Sequence, residues 1–359
     1  MQKIFYQPVK PRNLVLYALC PFAYFVSFGL QPEERRVFEA GSREIGDVYH
    51  ESLMKITSKL TNEGLWSTIT EEEVAKLVRE TLEQERKQYG AGLFQYSKGD
   101  SYRADRAEQT IRDAVNVLIS HARAGKIKDS SYEERFGRGS SIPPVEVSVD
   151  GKKVYIEGII DRLDVLENGR VKIMDYKSGI HELTDSSIRS GYTLQLMVYM
   201  KAAQREVREP AGVFYFYLGT KDIDVAGKED IEIGTAPDIE RLAELKDANM
   251  KGILINEPET IAEVLGDDES GRIASIKKKK STGEYSGSSG STVMNEGDFR
   301  DLQDAVDSKV REIAGGITSG KIDIHPMRRK KERLACRNCP YMGICRFDTA
   351  FDGCTYNNV

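Results

Sequence analysis

The first third of the chain combines an apolar segment with a helical alternation of apolar and polar positions. Apolar and aromatic residues fill 14–30, and a helical period follows over 41–62, 70–89 and 102–124. Thr70 and Glu73 have the spacing of a capping box, in which the two side chains satisfy free N–H groups at a helix start. This part of the chain is therefore predicted to be mainly helical.

The middle third changes to extended patterns. Runs typical of strands occur at 144–150, 153–166, 170–177 and 211–218, with a helical pattern at 186–206. Because the third strand reaches the fourth through a helix, these two should be parallel, with a right-handed crossover. The order of elements predicts an α/β fold in which helices flank a central mixed sheet.

The last third is less regular. Residues 237–266 are predicted to be helical in their first half. Residues 276–293 contain Lys277 to Lys280 and then a Ser/Gly-rich stretch, which is typical of a mobile surface hairpin or loop. A long helix is predicted near 296–314, ending at Gly315-Gly316, and the chain contains no internal repeat.

The segment from Gly315 to Lys321 fits the first seven positions of a phosphate-binding P-loop. Ile322 stands where that motif needs a magnesium-ligating Ser or Thr, and the preceding segment is predicted as helix instead of strand. We therefore expect neither an NTPase site nor a motor in this chain.

A predicted turn separates two aspartates in the middle of the chain. Asn168-Gly169 between two apolar-rich runs indicates a β-hairpin. A two-residue loop would send Asp161 and Asp175 to opposite faces of the hairpin. A three-residue loop would instead pair Leu166 with Arg170. In that register Asp161 lies directly opposite Asp175 on one face.

Lys177 would share the face of these two aspartates, because side chains two residues apart in a strand point the same way. Asp164, three residues from Asp161, would point away. Two carboxylates bind Mg²⁺ or Mn²⁺ through oxygen, and a water on such a metal can be ionised to attack phosphorus. Lys177 could orient that nucleophile or stabilise charge on the phosphoryl oxygens. The alternative is an ordinary hairpin with charges on a solvated face.

Composition and charge limit the class of protein. The 359 residues suffice for one large or two modest domains, and 40% hydrophobic with 30% charged residues is typical of a soluble globular protein. A net charge of -5 gives no global attraction to nucleic acid, so binding would need local basic segments. One such segment, equally consistent with phosphate contact and with a solvated surface, comprises Arg328, Arg329, Lys330, Lys331, Arg333 and Arg337. Without a bilayer-length apolar run or a signal-like start, a cytoplasmic protein is predicted.

Three of the five cysteines are closely spaced as Cys336-x2-Cys339-x5-Cys345, which favours metal ligation in a reducing compartment over disulfides. Cys354 as fourth ligand would give a local, zinc-like site. Cys20, from the other end of the chain, would suit a [4Fe-4S] cluster, although it could also be a buried free thiol. The spacing leaves these alternatives open.

Three further residues are weak candidates by themselves. Gln195 and Tyr199 lie one turn apart on the predicted crossover helix, where both could reach the aspartates. His50, on the first long helix, could supply a neutral imidazole to a metal, although single helical histidines are more often solvated or structural.

In combination these segments are far more specific than each one alone. The matching stretches are Tyr17 to Phe25, Gly46 to His50, Gly158 to Asp164, Asp175 to Gly179, Gln195 to Tyr199, and Cys336 to Asp348. Together they resemble the RecB-type branch of the PD-(D/E)XK nucleases, whose fold is a restriction-endonuclease-like mixed sheet flanked by helices. The resemblance is closest to the AddB-type nuclease domains of bacterial helicase-nucleases.

The resemblance implies a role for each candidate residue. It implies Mg²⁺ or Mn²⁺ ligation by Asp161, Asp175, the Tyr176 carbonyl and His50, catalysis by Lys177, and support of the active site by Gln195 and Tyr199. It also implies an iron-sulfur staple, a [4Fe-4S] cluster bound by Cys20, Cys336, Cys339 and Cys345, with Cys354 spare.

Such a cluster would tie the two ends of the chain together. The expected layout is a segment 1–40 with one cluster cysteine, a nuclease core 41–235 with a helical insertion at about 65–125, a helical and loop region 236–325, and a cysteine-rich segment 326–359. AddB-type proteins carry a long helicase-like region ahead of this domain, so the resemblance implies an excised domain or a shortened homologue.

The implied function is hydrolysis of DNA phosphodiesters, with single-strand exonuclease activity in the end resection of double-strand breaks. The implied partners are single-stranded DNA and an AddA-like helicase-nuclease subunit. Two alternatives remain: a stand-alone RecB-like exonuclease of the CRISPR-adaptation or phage type, and a non-catalytic DNA-binding iron-sulfur module.

Overall fold

The structure is a computed structural model, and it describes most of the chain. The described residues are 8–32, 42–88, 98–177, 183–204, 208–218, 250–269, 271, 273–288, 290–330, 332 and 334–359.

Helices and strands alternate along the described residues in an α/β order. The helices are α1 (Pro11–Leu19), α2 (Pro21–Phe25), α3 (Ser42–Asn62), α4 (Glu71–Gln88), α5 (Lys98–Ala124), α6 (Asp185–Arg189), α7 (Gln195–Ala203), α8 (Pro258–Leu265), α9 (Glu296–Ser319) and α10 (Met342–Cys345). The strands are β1 (Ile127–Phe136), β2 (Val145–Val149), β3 (Lys152–Ile156), β4 (Gly158–Leu166), β5 (Val171–Lys177), β6 (Pro210–Tyr217), β7 (Met250–Ile255), β8 (Ile276–Lys278), β9 (Tyr285–Gly287), β10 (Thr292–Met294), β11 (Met327–Arg328) and β12 (Asn357–Asn358).

The central element of the described chain is a six-stranded mixed sheet with the order β1-β4-β5-β6-β7-β10. β4 is antiparallel to both β1 and β5, β5 is parallel to β6, β6 is antiparallel to β7, and β7 is parallel to β10. The parallel pairing of β5 with β6 confirms the crossover predicted from the helix between them. The predicted mixed sheet flanked by helices is also confirmed.

Both faces of the sheet are covered, so the central strands consist mostly of buried residues. Ile173 and Val213 belong to a core that includes residues of α1, α7 and α9. Met174 and Phe214, one position further along each strand, belong to a second core that includes residues of α3, α4 and α5. Burial on both faces explains the nearly continuous apolar sequence of β6.

Several predicted helix positions are confirmed. α3, α4 and α5 lie where the helical period places them, and the Thr70 and Glu73 side chains form the capping box at the start of α4. The predicted helix 186–206 is wrong in one respect, because it is split into α6 and α7. Gly191 takes a φ of 90° at the break, a conformation that ends a right-handed helix.

Two strands of the central sheet were not predicted from the sequence. β1 has the polar sequence of an edge strand and lacks the apolar alternation that indicates a strand. β7 lies just after 237–249, where a helix was predicted and which falls outside the described residues. The predicted strand 153–166 is in fact two strands, because Glu157 leaves β3 to a small sheet with β2 while β4 joins the central sheet.

The last long helix continues beyond its predicted end. α9 runs through Gly315 and Gly316 to Ser319, and the ring of Tyr17 lies where a side chain at Gly316 would project. The glycine therefore permits close packing, and the Tyr17 hydroxyl donates to the Lys321 carbonyl at 3.0 Å. The absence of a loop at this position agrees with the expectation that no NTPase site is present here.

The segment 276–293 contains the short hairpin of β8 and β9, and β10 at 292–294 joins the edge of the central sheet. Among the residues that the structure describes, no helix has the length and apolar character to cross a bilayer.

Candidate active site

The β4–β5 hairpin has the register that brings the two aspartates together. Its antiparallel pairs run from Val165 with Val171 to Arg162 with Met174. The Leu166 N–H donates to the Arg170 carbonyl at 2.9 Å, which leaves a three-residue loop. The three-residue loop predicted from the sequence is therefore confirmed.

Contacts within and beside the loop fix this register. Gly169 has a φ of 82°, and the Arg170 N–H donates to Asn168 Oδ1 at 3.0 Å. From α8, the Glu263 carboxylate accepts the Asn168 N–H at 3.0 Å. One more step of the same register sets Asp161 opposite Asp175.

Asp161 lies between β5 and α3. Its Oδ2 accepts the Tyr176 backbone N–H at 2.9 Å and lies 3.3 Å from Nδ1 of His50. The His50 and Tyr176 rings meet edge to face with centroids 6.0 Å apart. The structure therefore brings the predicted histidine to the first aspartate.

Asp175 is the more deeply buried carboxylate, with its side chain 1% exposed. Lys177 forms an ion pair with its Oδ2, and Gln195 Nε2 donates to its Oδ1 at 3.0 Å. The same Gln195 amide donates to the Tyr199 hydroxyl at 2.7 Å, and its Oε1 accepts from Lys177 Nζ at 3.3 Å. The two weak sequence candidates on the crossover helix therefore lie beside the aspartates.

The electrostatics of the site favour a bound cation. Burial and the nearby Asp175 carboxylate raise the pKa of Asp161 well above its usual range, although the Tyr176 N–H and the Lys177 charge act against this. Burial lowers the pKa of His50, so its imidazole is neutral and able to ligate a metal. A divalent cation would relieve the repulsion between the two carboxylates.

The donor set suits a hard cation, although the ligands are not closed around one point. Carboxylate and carbonyl oxygens are the ligands that Mg²⁺ and Mn²⁺ prefer. Within the described part of the chain, no three His, Cys, Asp or Glu side chains converge as a ready metal cage. The fit therefore rests on the paired carboxylates and their buried, anionic surroundings.

Asp164 lies on the opposite face of the hairpin, as its spacing from Asp161 predicts. It is fully buried, and its carboxylate contacts Arg162 Nε at 2.7 Å, Lys172 Nζ at 2.9 Å and Ser130 Oγ at 2.7 Å. Burial alone would raise the pKa of Asp164, but the two cations bring it far below its usual range.

Sequence reasoning did not predict this buried network. Its signal was present, because Arg162 and Asp164 are two residues apart in one strand, and the three-residue loop pairs Asp164 with Lys172. Sequence reasoning also missed Tyr215, whose ring centroid lies 5.8 Å from Lys177 Nζ.

Four cysteines from the two ends of the chain line one cavity. Cys20 from the N-terminal segment lies there with Cys336, Cys339 and Cys345. Burial raises the pKa of the Cys20 thiol, while backbone N–H groups of Ala23, Phe22 and His325 lower it.

All five cysteines lie in the described residues, and Cys354 is not among those lining the cavity. Of the two closures that the sequence left open, the cavity is therefore consistent with Cys20 as the fourth member. Four thiols around one cavity, with amides directed at one sulfur, fit the donor set of a [4Fe-4S] cluster.

The basic segment before the cysteines is partly engaged in protein contacts. Arg328 stacks on the ring of Tyr356 at 5.4 Å, and Arg329 lies 5.9 Å from the Tyr192 ring centroid. Lys331 and Arg333 fall outside the described residues. In the other basic run, Lys278 pairs with Glu269 at 2.6 Å.

Comparison with known proteins agrees with this architecture. The profile of the PD-(D/E)XK nuclease superfamily matches residues 10–346. In Alkaliphilus oremlandii, the AddB-type component of the ATP-dependent helicase/deoxyribonuclease is 30% identical over 100% of this chain and 32% of its own length. The protein of the same name from Moorella thermoacetica is 30% identical over 97% of this chain and 30% of its own length.

The chain thus spans about a third of the length of these AddB-type relatives. The match of the family profile extends from α1 to the last cysteine of the Cys336–Cys345 group. It includes both strands of the hairpin and the crossover helix. The chain belongs to the PD-(D/E)XK nuclease superfamily and resembles the nuclease part of AddB-type proteins.

Proposed function

We propose that this chain is a metal-dependent deoxyribonuclease that hydrolyses DNA phosphodiester bonds. The observation that carries the proposal is the register of the β4–β5 hairpin, which sets Asp161 opposite Asp175 with Lys177 on the same face. Membership of the nuclease superfamily supports the same chemistry.

Asp161, Asp175, the Tyr176 carbonyl and His50 would hold a Mg²⁺ or Mn²⁺ ion. When bound, such an ion polarises a phosphoryl oxygen and lowers the pKa of water. The neutral state of His50 supports its role, because a protonated imidazole cannot ligate.

Lys177 is the proposed catalytic lysine. Its ammonium group lies against Asp175 and within 3.3 Å of Gln195 Oε1, so it is held on the face where a phosphate would meet the carboxylates. From there it donates to the phosphoryl oxygens as negative charge develops on them.

Gln195 and Tyr199 are proposed as positioning residues. The Gln195 side chain contacts Asp175, Lys177 and Tyr199 at once, and therefore fixes the carboxylate and the amine relative to each other. Burial and the Asp175 charge raise the pKa of Tyr199, so its hydroxyl stays protonated.

A [4Fe-4S] cluster bound by Cys20, Cys336, Cys339 and Cys345 is proposed as a structural staple. The cavity that these residues line supports it. The cluster would join the N-terminal segment 1–40 to the cysteine-rich segment 326–359, on either side of the nuclease core 41–235, its helical insertion at about 65–125 and the region 236–325. Its contribution is to stability, since a crosslink between distant segments restricts the unfolded chain.

The names of the relatives support a more specific role. They belong to ATP-dependent helicase/deoxyribonucleases, and this chain covers about a third of each. We therefore propose single-strand exonuclease activity during end resection of double-strand breaks, in the cytoplasm and together with an AddA-like helicase-nuclease subunit.

Cleavage of end-labelled single-stranded DNA tests the proposal. The wild type should release labelled product with Mg²⁺ or Mn²⁺ and none in EDTA. Asp175→Ala and Lys177→Ala should reduce the rate by about 100-fold or more. Asp129→Ala, which removes an exposed aspartate of β1, is the matched control and should leave the rate unchanged. Wild-type rates in both active-site variants would contradict the proposal.

A further inference from the structure

The face of the sheet that carries the two aspartates continues across two further strands. In β6, Tyr215 pairs with Asp175 and Tyr217 pairs with Lys177. In β7, Lys251 pairs with Tyr215. Because directly paired residues share a face, these side chains form a row that starts at the carboxylates and ends at a lysine.

The aromatic and basic members of this row contact each other. Lys177 Nζ lies 5.8 Å from the Tyr215 ring centroid, and Lys251 Nζ lies 5.3 Å from the Tyr217 ring centroid. Tyr215 is buried, whereas Tyr217, Lys177 and Lys251 are half-buried and keep accessible surface. The accessible part of the row therefore presents one ring and two amines.

The distances suit a polymer that crosses the strands. Neighbouring strands are about 4.8 Å apart, so Lys251 stands about 10 Å from Asp175, two strands away. A phosphate one or two nucleotides from the scissile phosphate would fall within reach of the flexible Lys251 side chain. An aromatic ring beside a cation is the combination that single-stranded nucleic acid binders use, the ring for a base and the amine for the backbone.

We propose that Tyr217 and Lys251 form a subsite for a single DNA strand beside the active site. Lys251 contacts a backbone phosphate, and the Tyr217 ring packs against the base of the same nucleotide. This subsite rests on the proposed nuclease function and names the part of the substrate that the sheet face recognises.

Salt dependence separates this subsite from a purely structural lysine–tyrosine pair. Each phosphate contact to a single strand contributes about -0.7 to the slope of log K against log salt concentration. A structural pair contributes nothing to that slope. The affinity for a labelled oligonucleotide should therefore be measured over a range of salt concentrations in EDTA, where cleavage does not occur.

Lys251→Ala should weaken binding at low salt and make the slope shallower by about 0.7. Lys251→Arg should retain the wild-type slope, because it keeps the charge. Lys128→Ala is the matched control, since it removes one exposed lysine at the other end of the sheet, beside the residue that pairs with Leu166. It should leave the slope unchanged.

Tyr217 is tested with an oligonucleotide that lacks one base. Tyr217→Ala should reduce affinity for intact DNA about tenfold, and Tyr217→Phe should stay within about twofold, because stacking needs the ring and not the hydroxyl. Moving the abasic position along the strand should reveal one position at which the wild type loses affinity and Tyr217→Ala does not. Melting temperatures of all variants show whether they remain folded.

The outcomes distinguish the subsite from the nuclease function. A wild-type slope in folded Lys251→Ala overturns the subsite, even if the protein cleaves DNA. A shallower slope in Lys251→Ala supports the subsite, even if the wild type does not cleave. A wild type that fails to bind single-stranded DNA overturns both.

Discussion

The Asp161 carboxylate accepts the backbone N–H of Tyr176 at 2.9 Å, across the hairpin that joins β4 to β5. This hydrogen bond ties the first aspartate to the strand that carries the second aspartate and the lysine. Since both strands lie within a sheet that is covered on both faces, the active-site groups are held by the core and not by a flexible loop.

The crossover helix should act on catalysis through the contacts of Gln195. Gln195→Ala removes hydrogen bonds to Asp175, Lys177 and Tyr199, so we expect activity or metal affinity to fall about 10- to 100-fold. A Mg²⁺ titration of cleavage should show a higher half-saturating concentration or a lower maximal rate. Gln204→Ala, at the other end of the same helix, is the control. Equal titration curves for Gln195→Ala and the wild type would show that Gln195 does not position these groups.

The buried network on the other face should be essential to stability. Asp164→Ala would leave Arg162 and Lys172 buried without their counter-charge, which costs about 3–5 kcal/mol. Urea unfolding measures this loss. The exposed Asp129→Ala on β1 should stay within about 0.5 kcal/mol of the wild type. A similarly small loss for Asp164→Ala would mean that the two cations find another arrangement.

His121 should make stability depend on pH. Burial and the charges of Lys172 and Arg162 lower its pKa from 6.5 to about 3. Because the folded-state pKa lies below the unfolded value, the unfolded chain binds more protons between these values. The stabilising contribution of neutral His121 is therefore complete above pH 6.5 and is lost as the pH falls towards 3.

The comparison with His121→Leu isolates this effect from the titration of the carboxylates. Between pH 6 and pH 4, the free energy of unfolding of the wild type should fall more steeply, by up to about 1.4 kcal/mol per pH unit. Parallel curves for the two proteins would exclude His121 as the origin of the slope.

Cysteine variants test the proposed staple. Cys20→Ala should lose iron and lower the melting temperature, because Cys20 supplies the contact from the N-terminal segment. Cys354→Ala should retain iron, since Cys354 is not among the described residues that line the cavity. Iron and zinc counts after anaerobic purification give the result. Full iron content in Cys20→Ala, or its loss in Cys354→Ala, would reverse the assignment.

The sequence was sufficient where a local rule determined the geometry. The length of the loop before Arg170 determined the register of the hairpin, and the helix between β5 and β6 determined their parallel pairing. The two aspartates and the lysine could be placed on one face for this reason.

Long-range packing determined what the sequence did not reveal. The polar strand β1 is stabilised by pairing with β4, and its own pattern does not indicate a strand. The passage of α9 through Gly315 and Gly316 depends on the distant ring of Tyr17. The common cavity of Cys20 and the C-terminal cysteines likewise depends on the folded chain.

The central claim is that Asp161 and Asp175 act as one unit that holds a catalytic cation. The most direct measurement is the single-turnover rate of Mg²⁺-dependent cleavage of single-stranded DNA by Asp161→Ala, Asp175→Ala and the double variant. Residues that act as a unit give strongly non-additive losses, so each single variant should lose nearly as much activity as the double variant, about 100-fold or more. Wild-type rates in either single variant would contradict the account.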